Sequence, residues 1–458
     1  MSYRREVQIF FILTILGLGA AALAGLPLTW DGAYYLFNTL DTRFPFIPHG
    51  RTIDVALELP VLAASHFTDN LALLRIIFSL CYVAIPAIGL ATSWLICRER
   101  RPSLFVWPAL SCCIAMLPGQ AAFSSEAIMT PWLMWPVLLA ALIGVRRAYL
   151  PILAILVVAA FLAHPIAGAF LALSALVSAI AGLKSADARR ERLLSAVVLS
   201  LVALARILTP LSEYESERLS TALLMSAFHT AVMGLPLIVL ILAALAAIFL
   251  LVSASMRSTS LVNSISSYIA LAIIVTAGAC LVIWAIPASR WAWALAFRFW
   301  AAPITLPFMA AASVEALLLA PPATEDESAR QRSRMPIILV IGGAFLAVLT
   351  IQSVTWKALT GRLQETLAQS PSGCIPRHML FWARRTPFDH WGASPYAIDV
   401  QTRKPKTMVM DANGCREFVA TGEIRLSKLS ARAPGGWFDL DGIPHTIIPW
   451  HQIQPPPR

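Results

Sequence analysis

The chain has 458 residues, 58% of them hydrophobic and only 13% charged, with a mean hydropathy of +0.72. Soluble domains carry about 25% charged residues, so this composition excludes one or two water-soluble domains of ordinary make-up. The 35 Lys and Arg exceed the 25 Asp and Glu by a formal +10, which in a soluble chain would raise the question of nucleic acid.

Apolar residues fall in blocks close to the roughly 20 residues that a helix rising 1.5 Å per residue needs to cross a bilayer core of about 30 Å. In chain order, spans are predicted over 8–26, 71–97, 103–118, 126–145, 148–164, 165–183, 192–210, 226–252, 264–286, 299–320 and 336–354. The first follows Arg4 and Arg5 and shares features with a secretory signal. Its end, Leu26-Pro27-Leu28-Thr29-Trp30, reads as a membrane exit rather than a cleavage site, so retention is expected. Basic residues then follow every second span: Arg98, Arg100 and Arg101, then Arg146 and Arg147, then Lys184, Arg189, Arg190 and Arg192. The loops between are basic-poor or acidic, as in Glu213-Tyr214-Glu215-Ser216-Glu217. Short cytoplasmic loops hold the Lys and Arg excess in helical membrane proteins. The charge therefore reports a cytoplasmic N-terminus and a lipid bilayer as partner, not nucleic acid.

Two segments break the pattern. Loop 27–70 is too long for a simple connection and, being aromatic-rich, is expected to be ordered. Its Ile53, Val55, Ala56, Leu57, Leu59, Val61 and Leu62 predict a helix along the membrane surface, with too many apolar positions for one face and hence packed against the bundle. The tail, 355–458, contains Trp356, Trp382, Trp391, Trp437 and Trp450, and disordered tails are aromatic-poor. Strands are expected at 407–410 and 446–448. The expected fold is an all-α polytopic membrane bundle of about eleven transmembrane helices, residues 1–354, with a small α+β extracytoplasmic C-terminal domain, 355–458. Five of the seven cysteines, Cys81, Cys97, Cys112, Cys113 and Cys280, lie in or beside spans. The other two, Cys374 and Cys415, share the tail, which an odd number of spans places outside; they are a candidate disulfide.

An ionisable residue at membrane depth costs a few kcal/mol and asks for a reason. On this topology Asp31, Arg75, Glu126, His164, Arg206, Arg290 and Arg298 share the outer level of the membrane. Each has a plain alternative. Glu126 can cap a helix N-terminus, His164-Pro165 can be a tight turn, and the arginines can reach lipid phosphates. Glu315, toward the cytoplasmic half of its span, is expected to be a packing partner. Asp31 is followed by Gly32 and an aromatic pair, Tyr34 and Tyr35. Such an acid can accept a proton from a hydroxyl, while arginines beside it can bind a phosphate.

The run Trp30-Asp31-Gly32-Ala33-Tyr34-Tyr35-Leu36 resembles the Trp-Asp segment in the first extracytoplasmic loop of C-type (GT-C) glycosyltransferases, in particular the branch related to the glycosylphosphatidylinositol mannosyltransferases and their bacterial relatives. Phe123-Ser124-Ser125-Glu126-Ala127 is similar to the Ser/Pro-Glu element of several such enzymes. The resemblance implies inverting transfer of a sugar from a polyprenyl-phosphate donor to an extracytoplasmic glycan, lipid or protein acceptor; the short basic loops fit a bacterial inner membrane, and an endoplasmic-reticulum membrane would obey the same charge rule. By the same resemblance Asp31 is the expected base, Glu126 supports the acceptor or orients Asp31, and Arg206 or Arg298 binds the carrier phosphate; Tyr34, Tyr35, Arg75, His164 and Arg290, near the same outer level, are further candidate substrate-binding residues. No Asp-x-Asp follows at Asp31, so a tightly bound metal is not implied, although a divalent cation such as Mg or Mn stays open as a cofactor. The competing readings are a transporter or flippase of a lipid-linked precursor and a non-catalytic subunit of a cell-envelope assembly. Exposed Trp391, Tyr396 and Trp437 would suit glycan binding by the tail; buried, they would be its core.

Overall fold

The structure is a computed structural model that describes residues 3–116, 123–184, 188–213, 215–216, 305–317, 324–384, 386–390, 392–424, 436–449 and 452–453. The expected spans 226–252 and 264–286, the start of 299–320, and Arg290, Arg298, Cys280, Trp391 and Trp450 lie outside the described residues.

The described chain is mostly helical. Its bundle helices are α1 Tyr3–Ala24, α2 Asp31–Thr42, α3 Ile53–Ser65, α4 Leu71–Cys97, α5 Val106–Met116, α6 Glu126–Ile143, α7 Leu150–Ala163, α8 Ala167–Lys184, α9 Arg189–Leu208, α10 Thr305–Leu317 and α11 Thr324–Gln369. Five of these, α1, α4, α6, α8 and α11, are long and apolar enough to cross a membrane. The other apolar helices, including α7 and α10, are shorter. The charged residues Arg189, Arg190, Glu191, Arg192 and Arg206 keep α9 from joining the five.

Close approach shapes the bundle. α11 lies along α1, and a Cβ on Gly342 would stand 3.2 Å from the Phe10 backbone. α4 meets α6 where a Cβ on Gly89 would come within 2.3 Å of the Trp132 carbonyl oxygen. Small residues let helix backbones approach in this way.

One end of the bundle is tied by a buried polar network. Glu327 accepts from the Ser103 amide and hydroxyl, both at 3.0 Å, and Glu315 accepts from Trp107 Nε1 at 2.8 Å and from Arg334 at 2.9 Å. Arg334 also donates to the Ser103 carbonyl at 2.8 Å. Glu315 is thus a packing partner, as expected. Arg98, Arg100 and Arg101 follow α4 at this same end.

At the opposite end the chain leaves α1 through a short 3-10 turn, Leu26–Leu28, and enters α2 and α3. The long loop is ordered and holds two helices; only α3 was legible as one. Ile53, Asp54, Leu57, Glu58 and Val61 of α3 are buried, whereas Leu59 is exposed and Phe67 just beyond is 90% exposed. Asp54 and Glu58 face inward together with Ile53, Leu57 and Val61, while Leu59 faces outward, which explains why no single apolar face is visible in the sequence.

α11 has 46 residues, a length of about 69 Å at 1.5 Å per residue. It therefore runs well past 354, and the expected boundary of the tail falls inside a helix that continues to Gln369. The tail proper contains β1 Gly373–Pro376, α12 Ala393–Asp399, β2 Thr407–Met410 and α13 Ala412–Thr421. β1 and β2 pair in parallel, from Gly373 opposite Thr407 to Pro376 opposite Met410. The expected strand at 446–448 is reduced to a single bridge, Ile447 to Cys374. α13 begins with Asp411, whose side chain accepts from the Asn413 and Gly414 amides, an N-cap that satisfies donors left free by the helix start. The Cys374–Cys415 disulfide is present and joins β1 to α13. Tyr396 and Trp437 are buried in the tail, so these two rings belong to its core.

Candidate functional site

The site forms where α2, α3 and α6 meet. Glu126 is the first residue of α6; the capping position belongs to Ser125, and no side chain caps that helix start. The Glu126 side chain instead points into the protein, 2% exposed, and accepts from two donors. Tyr35 of α2 donates its hydroxyl to Oε1 at 2.9 Å, and Arg51, in the turn before α3, donates to Oε2 at 2.5 Å. Arg51 extends further, from Nε to Glu215 at 3.4 Å. One guanidinium thus joins a carboxylate at the start of α6 to another from the acidic segment 213–217.

Asp31 starts α2 and is half-buried. It lies close enough to bear electrostatically on both Tyr35 and Arg51. Burial, then Glu126 and Asp31, pushes the Tyr35 phenol well above its ordinary range. Burial works against the Arg51 charge, but Glu126, Tyr35, Glu215 and Asp31 outweigh it, so the guanidinium stays cationic. Tyr34 is buried with its ring edge-on to Phe46, 5.1 Å between centroids. Tyr34, Tyr35 and Phe46 form the aromatic wall expected beside Asp31.

Two more predicted residues reach the same cluster. His164 follows α7 and its Nδ1 accepts from the Ile166 amide at 3.2 Å, which is the tight turn; its ring also faces Arg51 and Arg206. Arg206, late in α9, lies 5.6 Å over the Phe161 ring and faces Glu215 and Arg51. Its Nε is buried without a hydrogen-bond partner among the described residues.

Arg75 is placed elsewhere. It sits at the start of α4 beneath the tail and faces Tyr396 and Asp399 of α12. Asp399 is fully buried and neither carboxylate oxygen has a hydrogen-bond partner among the described residues. Burial raises its carboxyl well above the usual range, and Arg75 opposes that shift.

Behind Glu126 lies a second layer that sequence reasoning passed over. Glu58 Oε2 accepts from Thr39 Oγ1 and from the Phe46 amide, each at 2.6 Å, clipping α3 to α2 and to the turn between them. Burial pushes its carboxyl up to about 8. Asp54 accepts from the Tyr82 hydroxyl at 3.3 Å, and burial with Glu126 and Glu58 nearby raises its carboxyl well above the usual range. Both are present in the sequence as loop acids. Arg51 was equally visible, in His49-Gly50-Arg51-Thr52, but its partner Glu126 stands 75 residues away.

Among the described residues, no three His, Cys, Asp or Glu side chains converge as a group that could hold a metal ion. The chain matches no protein-family model, no curated protein and no solved structure.

Chemically, the arrangement places a half-buried carboxylate, Asp31, near a guanidinium that is paired with Glu126 and Glu215. Glu126, held by Tyr35 and Arg51, is a scaffold for Arg51. Asp31, half-buried at the start of α2, is the first-loop acid of this cluster that bears most strongly on Tyr35 and Arg51.

Proposed function

We propose that this protein is an integral membrane glycosyltransferase that takes a sugar from a polyprenyl-phosphate donor, with Asp31 as general base. The observation that carries this reading is the convergence of Asp31, Tyr35, Arg51, Glu126, His164, Arg206 and Glu215 at one end of the bundle, from segments spread over nearly two hundred residues. Asp31 accepts the proton of the acceptor hydroxyl as that oxygen attacks the sugar carbon. Attack opposite the phosphate leaving group inverts that carbon. Arg206, with Arg51 behind it, supplies positive charge for the departing phosphate.

The basic residues at 98–101, 146–147 and 184–192 support a cytoplasmic position for the opposite end. The site and the tail then lie on the extracytoplasmic face, in keeping with a disulfide in the tail and with a bacterial inner membrane.

The test is transfer of radiolabelled sugar from a lipid extract, with wild type compared with Asp31→Asn. The expected result is transfer by wild type and its loss in Asp31→Asn protein that still inserts and folds. Undiminished transfer by Asp31→Asn overturns the assignment of the base; transfer by neither, with folded wild-type protein and a competent donor pool, overturns the enzyme reading.

A further inference from the structure

We infer that the tail positions Asp31 by gripping both ends of α2. The N-terminal grip is on Trp30, the residue immediately before Asp31. Trp30 has φ 63° and ψ −111°, a backbone conformation that a bulky L residue rarely adopts and that persists only where the surroundings over-determine it. Those surroundings come from the tail. The His390 ring lies 3.6 Å from the Trp30 ring, centroid to centroid. Gly392 packs against the Trp30 backbone so closely that a Cβ there would be 3.2 Å from both the Cα and the carbonyl oxygen.

The C-terminal grip is on Asp41. Its carbonyl accepts from the Trp437 amide at 3.2 Å and its Oδ1 from the Phe438 amide at 3.2 Å. Gly436 admits this contact, since a Cβ there would fall 2.0 Å from Asp41 Oδ1. Between the grips, Phe37 stacks on Phe438 at 5.1 Å and 15°, and α12 lies along α2. The bundle supplies the opposing surface: a Cβ on Gly32 would be 1.9 Å from the Pro27 carbonyl oxygen. α2 is therefore held between the bundle and the tail, with the strained peptide next to Asp31 under the tail's contact.

The tail then acts on the reaction without touching the reacting atoms, so Gly392, His390 and Gly436 are positioning residues. The catalytic part of this inference rests on the glycosyl-transfer reading; the mechanical part does not. The test is amide hydrogen exchange of the full chain in lipid nanodiscs, for wild type, Gly392→Ala and Gly436→Ala, with steady-state transfer measured on the same samples. Exchange is expected to rise across 30–42 while β2 and α4 keep wild-type protection. kcat is expected to fall about a hundredfold, as misplacement of a catalytic group does, with KM for the donor retained. Gly392→Ala is the milder change and remains informative if Gly436→Ala fails to fold. Wild-type exchange across 30–42 in Gly392→Ala overturns the inference. Acceleration spread equally over β1, β2 and 30–42 also overturns it, because that marks loss of the tail fold and not loss of a grip. If no preparation transfers sugar, the exchange result still decides whether the tail holds α2.

Discussion

Replacing Arg51 by methionine tests the closed cluster most directly. Arg51 is one of two donors recorded on Glu126, which is 2% exposed. Removing one member of a buried ion pair costs about 3–5 kcal/mol, because the other charge stays buried without its counterion. The Tyr35 hydroxyl remains on Oε1, and the Arg51 side chain keeps 13% exposure, so the lower end, about 3 kcal/mol, is expected. Glu126→Gln should cost less, about 1–2 kcal/mol, since the amide still accepts from Tyr35 and Arg51 keeps Glu215. Once Glu126 is Gln, loss of Arg51 strands no charge there, so the double variant should show a coupling of about 2 kcal/mol, within the range for residues sharing one network. Reversible unfolding in mixed micelles, followed by tryptophan fluorescence, measures all four corners of the cycle. A cost below about 0.5 kcal/mol for Arg51→Met with no coupling, the size of an ordinary surface change, would refute the reasoning: solvent would then reach Glu126.

Three further outcomes follow from the same structure. Glu58 has an ordinary value of 4.5 and is pushed up to about 8 in the fold, so the folded state binds its proton more tightly; stability is full below 4.5, falls as pH rises toward about 8, and Glu58→Gln flattens this dependence in pH-resolved thermal unfolding. Gly32→Ala forces a Cβ to within 1.9 Å of a backbone oxygen and is expected to cost upward of about 3 kcal/mol, whereas Gly343→Ala, which meets nothing within 4 Å, should stabilise by about 0.5–1 kcal/mol; equal melting temperatures for the two would contradict this packing. Cys374 and Cys415 close a separation of 41 residues, worth about 4 kcal/mol by loop-closure entropy, and neither should react with a thiol reagent before reduction; labelling of both in native protein would remove the bridge.

Much of the bundle was legible because lipid imposes a crude rule: long apolar blocks become helices, and charge sorts their ends. Span 71–97 coincides with α4 and 126–145 begins with α6, since Asn70 caps the first at its side chain and Gly144 ends the second. The rule weakens outside the bilayer. α2 went unread because Asp31–Thr42 carries Gly, Asn, Thr and two acids in twelve residues, a composition of low helix propensity, and its helicity comes from burial between bundle and tail. The continuation of α11 past 354 went unread for a related reason. Hydropathy drops after 354, but Lys357, Arg362, Glu365 and their neighbours are good helix formers, so the polypeptide leaves the apolar region without leaving the helix.

The site divides along the same line. Asp31, Glu126, His164 and Arg206 were found by asking which charged residues share one level of the membrane, and the structure brings them together because helix ends at one level are neighbours. Arg75 satisfies that criterion equally and yet sits under Tyr396 and Asp399. Level fixes height and says nothing of angle around the bundle, and angle is decided by which helices pack together. Arg51 escaped for the converse reason: it lies in a turn outside any span, where a basic residue needs no explanation. Its importance comes from Glu126, an acid buried at a helix start that must meet a counterion or lose its charge. A buried carboxylate is therefore the better starting point for a search: the long loop itself carries two arginines, Arg43 and Arg51, and Arg51 stands beside α3, the helix whose acids turn inward.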